Sequence, residues 1–328
     1  MSSPGFVHLH VHTEYSLVDS TIRIPALMNA CAENGMPAVA LTDQNNLFGL
    51  VKFYRKSMAA GIKPVIGLDL RILNEDEPDR PYTMLLLVQD NDGYRNLSEL
   101  VTRSYIEGQV RGEPMARREW LTASSCEGLI ALSGGLHGDI GHALHANHGE
   151  QARELLDGWC AVFPGRFYLE LIRTGRSGEE NCVRASLELA SVTGTPVVAT
   201  NDVRFLSAGD FDAHEARVCI HDSRVLADSE RPKLYSAQQY LRTPGEMAEL
   251  FADAPEALAR EARDLQRQWN ELRFRTRRLQ GEVERWVGPL TQKQLSQRDF
   301  YREMLETLRR DAESLRARHR GLMPEGST

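Results

Sequence analysis

The chain has 328 residues, 41% hydrophobic and 26% charged, with a formal net charge of −7; those are globular proportions, with room for one large domain or two smaller ones. No apolar run approaches the roughly 18 residues of a membrane span, and Met1-Ser-Ser-Pro-Gly5 has neither the basic start nor the apolar middle of a secretory leader. The five cysteines (Cys31, Cys126, Cys160, Cys182, Cys219) are scattered with no CxxC pair, which argues for a reduced, cytoplasmic setting and against a structural zinc site.

Charge is unevenly spread. Residues 263–328 hold 15 Lys and Arg against 10 Asp and Glu, which leaves 24 against 36 in the first 262. An acidic body does not hold a nucleic acid backbone by bulk electrostatics. In the basic tail the two signs are interleaved, the usual look of a solvated helix face.

In chain order, the first element is the run Phe6–His10, expected as a strand. Its continuation to Ser16 alternates His8, His10 and His12 with apolar residues, so a strand places all three imidazoles on one face. Such a face is either a metal site, a relic of one, or simply a polar sheet surface. Strand-length apolar runs then recur at Ala38–Leu41, Val65–Leu68, Met84–Val88, Leu129–Leu132, Phe167–Leu171 and Val197–Ala199. Helical spacing appears between several of them, over Ile24–Glu33, Leu47–Ala59, Gly149–Trp159 and Glu179–Val192. Glycine followed by proline punctuates the joins at Gly35-Met-Pro37, Gly61-Ile-Lys-Pro64 and Gly194-Thr-Pro196, a helix stop followed by a strand start. Seven strands alternating with helices predict a parallel β/α barrel, in which function sits at the strand C-termini. The residues just after the runs are His10 and His12, Asp43, Asp69, Gln89-Asp90, Ser133, Glu170 and Asn201-Asp202. An Asp after a strand is often only a helix cap, but the set as a whole, with the histidines, points to an ancestral metal site.

These strand ends carry a family pattern. His10-Val-His12-Thr-Glu-Tyr-Ser16, Leu41-Thr-Asp43-Gln-Asn-Asn-Leu-Phe-Gly49, Gly61-Ile-Lys-Pro-Val-Ile-Gly67 and Val198-Ala-Thr-Asn-Asp-Val203 resemble the motifs of the polymerase and histidinol phosphatase (PHP) domain. Gly93-Tyr-Arg-Asn-Leu97, Phe211-Asp-Ala-His214 and Glu249-Leu-Phe-Ala-Asp253 extend the likeness. Over residues 1–262 it is to the form found at the N-terminus of bacterial DNA polymerase III alpha subunits. The resemblance implies an α/β fold, a distorted (β/α)7 barrel. Active members bind up to three metal ions and hydrolyse phosphoesters, some as 3′–5′ exonucleases. It assigns His10 and His12 to the first ligand pair, Asp43 to the next and Asp202 to a late one. Asp69 stands where active members usually carry Glu.

Four positions depart from that pattern. Gln44, Thr83 and Arg204 stand where active members have His, and Gly135 where they have Cys or His. Arg cannot be deprotonated in a protein, so Arg204 is expected to pair with leftover carboxylates and repel a metal. The remaining set, His10, His12, Asp43, Asp69 and Asp202, is expected to hold at most one divalent ion (zinc, manganese or magnesium), weakly. In related alpha subunits a separate proofreading exonuclease subunit, epsilon, docks on the PHP domain. The resemblance therefore implies a platform for epsilon and other replisome subunits, meeting DNA only indirectly and no membrane. The palm aspartates of a DNA-directed DNA polymerase, a nucleotidyltransferase, are absent from this chain.

Residues 263–328 carry a different pattern and no recognised family. Leu265, Trp269, Leu272, Thr276, Leu279, Val283 and Trp286 step by 4 and 3, Gly288-Pro289 breaks the seam, and Tyr301, Leu305, Leu308, Ala312, Leu315, His319 and Leu322 resume it. This predicts an antiparallel helical hairpin that packs on the barrel or self-associates. Three functions are thus in play: a degenerate-site scaffold, a metal-dependent phosphoesterase or 3′–5′ exonuclease with a reduced site, and an interaction protein acting through its tail.

Overall fold

The computed structural model describes residues 6–258, Ser229 excepted; the boundary at residue 262 and the expected hairpin lie outside the described residues. Helix α1 (Ile24–Glu33) has Pro25 in its first turn, where a missing N–H costs nothing, and buries Ile24, Leu27, Met28 and Cys31. All four residues of β1 (Ala38–Leu41) are buried. Helix α2 (Leu50–Ala60) buries Phe53 and stops at Gly61, whose left-handed φ of 66° closes the helix before β2 (Lys63–Ile72), parallel to β1.

The next strand departs from expectation. β3 (Tyr82–Val88) runs antiparallel to β2, with Gly67 opposite Leu87 and Ile72 opposite Tyr82. The connection from 73 to 81 contains no helix, and a link that short returns the chain in the opposite direction rather than crossing over. Helix α3 (Asn91–Ile106) follows, capped by the Asp90 carboxylate on the Asp92 and Gly93 amides. Gln89 and Asp90 therefore lie at the far end of the sheet, and Thr83 is near the rim where the other strands finish. A two-stranded hairpin, β4 (Gln109–Val110) and β5 (Glu113–Pro114), leads to β6 (Leu129–Leu132), antiparallel to β3. After α4 (Asp139–His145) and α5 (Gly149–Val162), β7 (Phe167–Ile172), α6 (Glu179–Thr193) and β8 (Val197–Thr200) restore parallel crossovers. Helices α7 (Phe211–His221) and α8 (Pro244–Leu250) end the described chain, the latter with a Thr243–Glu246 capping box.

The sheet order is β1-β2-β3-β6-β7-β8. Ala40 on β1, Leu85 and Leu87 on β3, Leu132 on β6 and Val198 on β8 share one apolar cluster, so the sheet is curled and its inside is filled. Each large side chain so buried contributes about 1.5–3 kcal/mol. Among the described residues, 8–12 make one isolated bridge, Val11 to Val203, but hydrogen-bond both edges of the curl. Ala40 N–H donates to the His8 carbonyl and Thr42 N–H to that of Val11, while Val203 N–H donates to His10 and His12 N–H to Val203. The histidine segment joins the two edge strands, and that places it among the strand C-termini.

Candidate metal centre

His10 and His12 do share a face; His8 does not join them. Its Nε2 lies 2.8 Å from the Arg242 carbonyl oxygen, and burial lowers its pKa to about 4. The His10 and His12 Nε2 atoms are 3.2 Å apart. Asp69 Oδ2 lies 3.9 and 3.7 Å from those two nitrogens, and Asp202 Oδ1 3.7 and 3.8 Å. Ligand atoms of His10, His12 and Asp202 all fall within 4.8 Å of one another. The structure thus gathers four of the five residues expected from sequence.

The fifth, Asp43, faces a different task. Its carboxylate accepts from the Thr13 amide at 2.6 Å, from the Thr13 hydroxyl, and from the Ser16 hydroxyl at 2.8 Å. It thereby pins the turn at Thr13–Ser16 that follows the histidines. Burial pushes its pKa up to about 6 against the pull of those donors.

Protonation follows from the surroundings. Burial alone would lower His10, but the Glu170 carboxylate at 2.8 Å, together with Asp202 and Asp69, overrides it and raises His10 to about 9. His10 is then an imidazolium that donates through Nδ1 to Glu170 and through Nε2 to His12. For His12, burial and the Arg204 charge act together and lower it to about 3. It is neutral, accepts at Nε2 and donates from Nδ1 to Ser16 Oγ at 3.0 Å. Glu170 itself is held by the Thr200 hydroxyl and the Ser133 hydroxyl on its backbone amide.

Arg204 supplies the main positive charge, buried with both its partners. Its Nε and Nη2 bind Asp202 Oδ1 at 2.9 Å, and its Nη1 binds Asp19. Arg176 meets the other Asp202 oxygen at 3.0 Å, and Gln239 donates to that same oxygen at 2.8 Å. Burial favours a neutral Asp202, yet Arg204 and Arg176 hold its pKa well below the usual carboxylate range. Tyr235 closes this side, with the Arg204 guanidinium 5.2 Å from its ring centre. Sequence reasoning missed Asp19, Arg176 and Gln239 as site residues. They lie on connecting segments with no motif of their own; the one available signal was the buried carboxylate partner that Arg204 demands.

At Gly135 the space is also taken. A Cβ placed at Gly135, whose φ is 53°, would meet Ile172 Cδ1 at 2.8 Å, so Ile172 fills the space of a ligand side chain. The backbone N–H of Gln44 donates to Ser16 Oγ at 3.2 Å. The family's multi-ion centre therefore does not fit these residues. A set for one ion remains in His10, His12 and Asp202 with Asp69 beside them, and Asp69 Oδ1 has no hydrogen-bond partner among the described residues.

Comparison with known proteins shows the family. The PHP domain family matches residues 8–174. The DNA polymerase III subunit alpha of Pseudomonas aeruginosa PAO1 is 52% identical over 255 residues, covering 77% of this chain and 22% of that protein. The corresponding subunits of Escherichia coli K12 and Vibrio cholerae are 48% and 46% identical over 259 residues, 79% of this chain and 22% of theirs. The chain spans about a fifth of the length of these relatives. No described helix is long and apolar enough to cross a membrane.

Proposed function

The chain belongs to the PHP domain family, and on that premise we propose that it is a module of the polymerase III alpha type whose metal chemistry has given way to an internal ion-pair network. Its work is then structural: a rigid cytoplasmic platform for partner subunits in DNA replication, the proofreading exonuclease epsilon first among them. The observation that carries this reading is Arg204, a permanent cation buried between Asp19 and Asp202 where a ligand would stand. Removing a cation from such a site is unfavourable, and a metal would have to displace it from Asp202. The domain boundary near residue 262 belongs to the same proposal. The test is direct. Chain ending near Ala259 should bind an epsilon C-terminal peptide with the affinity of the full chain; binding that tracks residues 263–328 would overturn the platform reading.

A second reading has its own support in the His10, His12 and Asp202 donor set and the unpartnered Asp69 oxygen. A divalent ion held there would supply Lewis-acid activation of water for phosphoester hydrolysis. Elemental analysis of chelator-free protein, with a phosphoesterase assay, separates the two. One ion per chain with turnover favours the enzyme, and metal-free, inactive protein favours the platform.

A further inference from the structure

Helix α2 and the turn beside it present exposed apolar side chains next to a run of cations. Val51 and Tyr54 lie three residues apart on α2 and Phe48 in the turn just before it; Phe48, Val51 and Tyr54 are 61%, 64% and 48% exposed. Between Asp43 and Asp69 the sequence contains four cations, Lys52, Arg55, Lys56 and Lys63, and no acid. On a body with twelve more acids than bases this is a basic island, and the first three cations flank the apolar residues on α2.

The adjoining turn adds an independent observation. Leu17 has φ 62° and ψ −61°, and the Val18 amide donates to the Ser16 carbonyl at 2.8 Å across it. For a branched, bulky residue this three-residue turn is strained. Leu17 is nonetheless 60% exposed, so burial of its own side chain does not maintain the strain. What maintains it lies on either side. Ser16 is fixed by Asp43 and His12, Asp19 by Arg204, and the Leu17 carbonyl by the Arg217 guanidinium, with Nε at 2.8 Å. The turn is also tied to α2, because Lys52 pairs with Glu14 at 2.9 Å and Tyr15 packs against Gly49.

We infer that Leu17, Phe48, Val51 and Tyr54, ringed by Lys52, Arg55 and Lys56, form a docking surface for an acidic amphipathic segment of a partner protein. This rests on the platform reading and gives it a location. Exposed aromatic anchors such as Phe48 and Tyr54, with Arg55 beside them and a polar rim, are features of protein-binding surfaces. The rim selects a partner rich in carboxylates. A nucleic acid fits less well, because Leu17 and Val51 offer no ring for a base to stack on and the acidic body repels phosphates. The relic of the metal centre acquires a use here: its buried ion pairs and hydrogen bonds hold Leu17 in place before the partner arrives.

The full chain is titrated with three probes, namely a synthetic amphipathic helix of Glu and Leu, the same helix with Lys for Glu, and oligo-dT. The acidic helix alone should bind, more weakly as salt rises. Phe48→Ser with Tyr54→Ser, and separately Arg55→Glu with Lys56→Glu, should each weaken it at least about tenfold. All four positions are exposed, so unchanged thermal melts will certify the fold. Absence of binding, binding indifferent to both pairs of substitutions, or oligo-dT bound through these residues would each overturn the assignment. The same variants titrated with epsilon tell this failure from that of the platform. If epsilon binds the parent and both variants alike, the platform stands and this surface is wrong; if it does not bind the parent chain, the platform itself is wrong.

Discussion

The two sides of the candidate centre hold their carboxylates in different ways. On the β1 side, Thr13 and Ser16 donate short hydrogen bonds to the Asp43 carboxylate, the Gln44 backbone N–H donates to Ser16, and no cation pairs with Asp43 among the described residues. On the β8 side, Asp19 and Asp202 are neutralised by Arg204 and Arg176. His10 and His12 sit between, one charged and one neutral, because carboxylates surround the first and Arg204 faces the second. A buried hydrogen bond can be removed at modest cost, whereas a buried charge left alone cannot. The β8 side is therefore the rigid half of the site, and the β1 side the half that tolerates change.

The sharpest break of this contrast is Arg204→Met. It leaves Asp19 and Asp202 buried with Arg176 and the His10 imidazolium, both on the Asp202 side, as the nearby cations, and should cost roughly 3–5 kcal/mol of stability by urea denaturation. A loss below about 1 kcal/mol would show that water already screens the pair. Arg204→His with Gln44→His should behave differently: metal-free protein loses stability, and added zinc or manganese restores part of it, read as a melting shift absent from the parent.

The pH profile tests the middle of the site. The folded pKa of His10, about 9, lies above its ordinary 6.5, so its contribution is complete below pH 6.5 and lost as pH rises towards 9. That amounts to roughly 3 kcal/mol across the window. His12, lowered to about 3, works in the opposite sense and withdraws stability as pH falls below 6.5. Unfolding free energy should fall between pH 6.5 and 9, and His10→Gln should flatten that limb while leaving the acid limb in place. A parent curve already flat above pH 6.5 would mean His10 is neutral.

Smaller effects are expected from packing and from the β1 side. Gly135→Cys should destabilise by about 1–3 kcal/mol through overpacking against Ile172. Ile172→Ala introduced with it should recover less than the clash alone suggests, since the φ of 53° still disfavours a side chain. Asp43→Asn keeps the shape but weakens charge-assisted bonds, for about 1–2 kcal/mol. If Asp43→Asn costs as much as Arg204→Met, the distinction between the two sides fails.

Much of this was legible in the sequence. Alternation put His10 and His12 on one face, glycine and proline marked where α1, α2 and α6 stop, and the residue types at Gln44, Thr83, Gly135 and Arg204, set against the family resemblance, raised the expectation of a reduced centre. Those are local properties: period, turn chemistry and the identity of a donor atom are fixed by the residue and its neighbours. Tertiary structure decided the rest. The direction of β3 depended on a helix-free link, and it moved Asp90 away from the site and Thr83 towards it. Asp19, Arg176 and Gln239 reach Asp202 and Arg204 from distant segments, and Asp43 is taken up by the donors of Thr13 and Ser16. Which carboxylate meets which cation depends on how the curled sheet brings its two edges together, and no spacing within one segment encodes that distance.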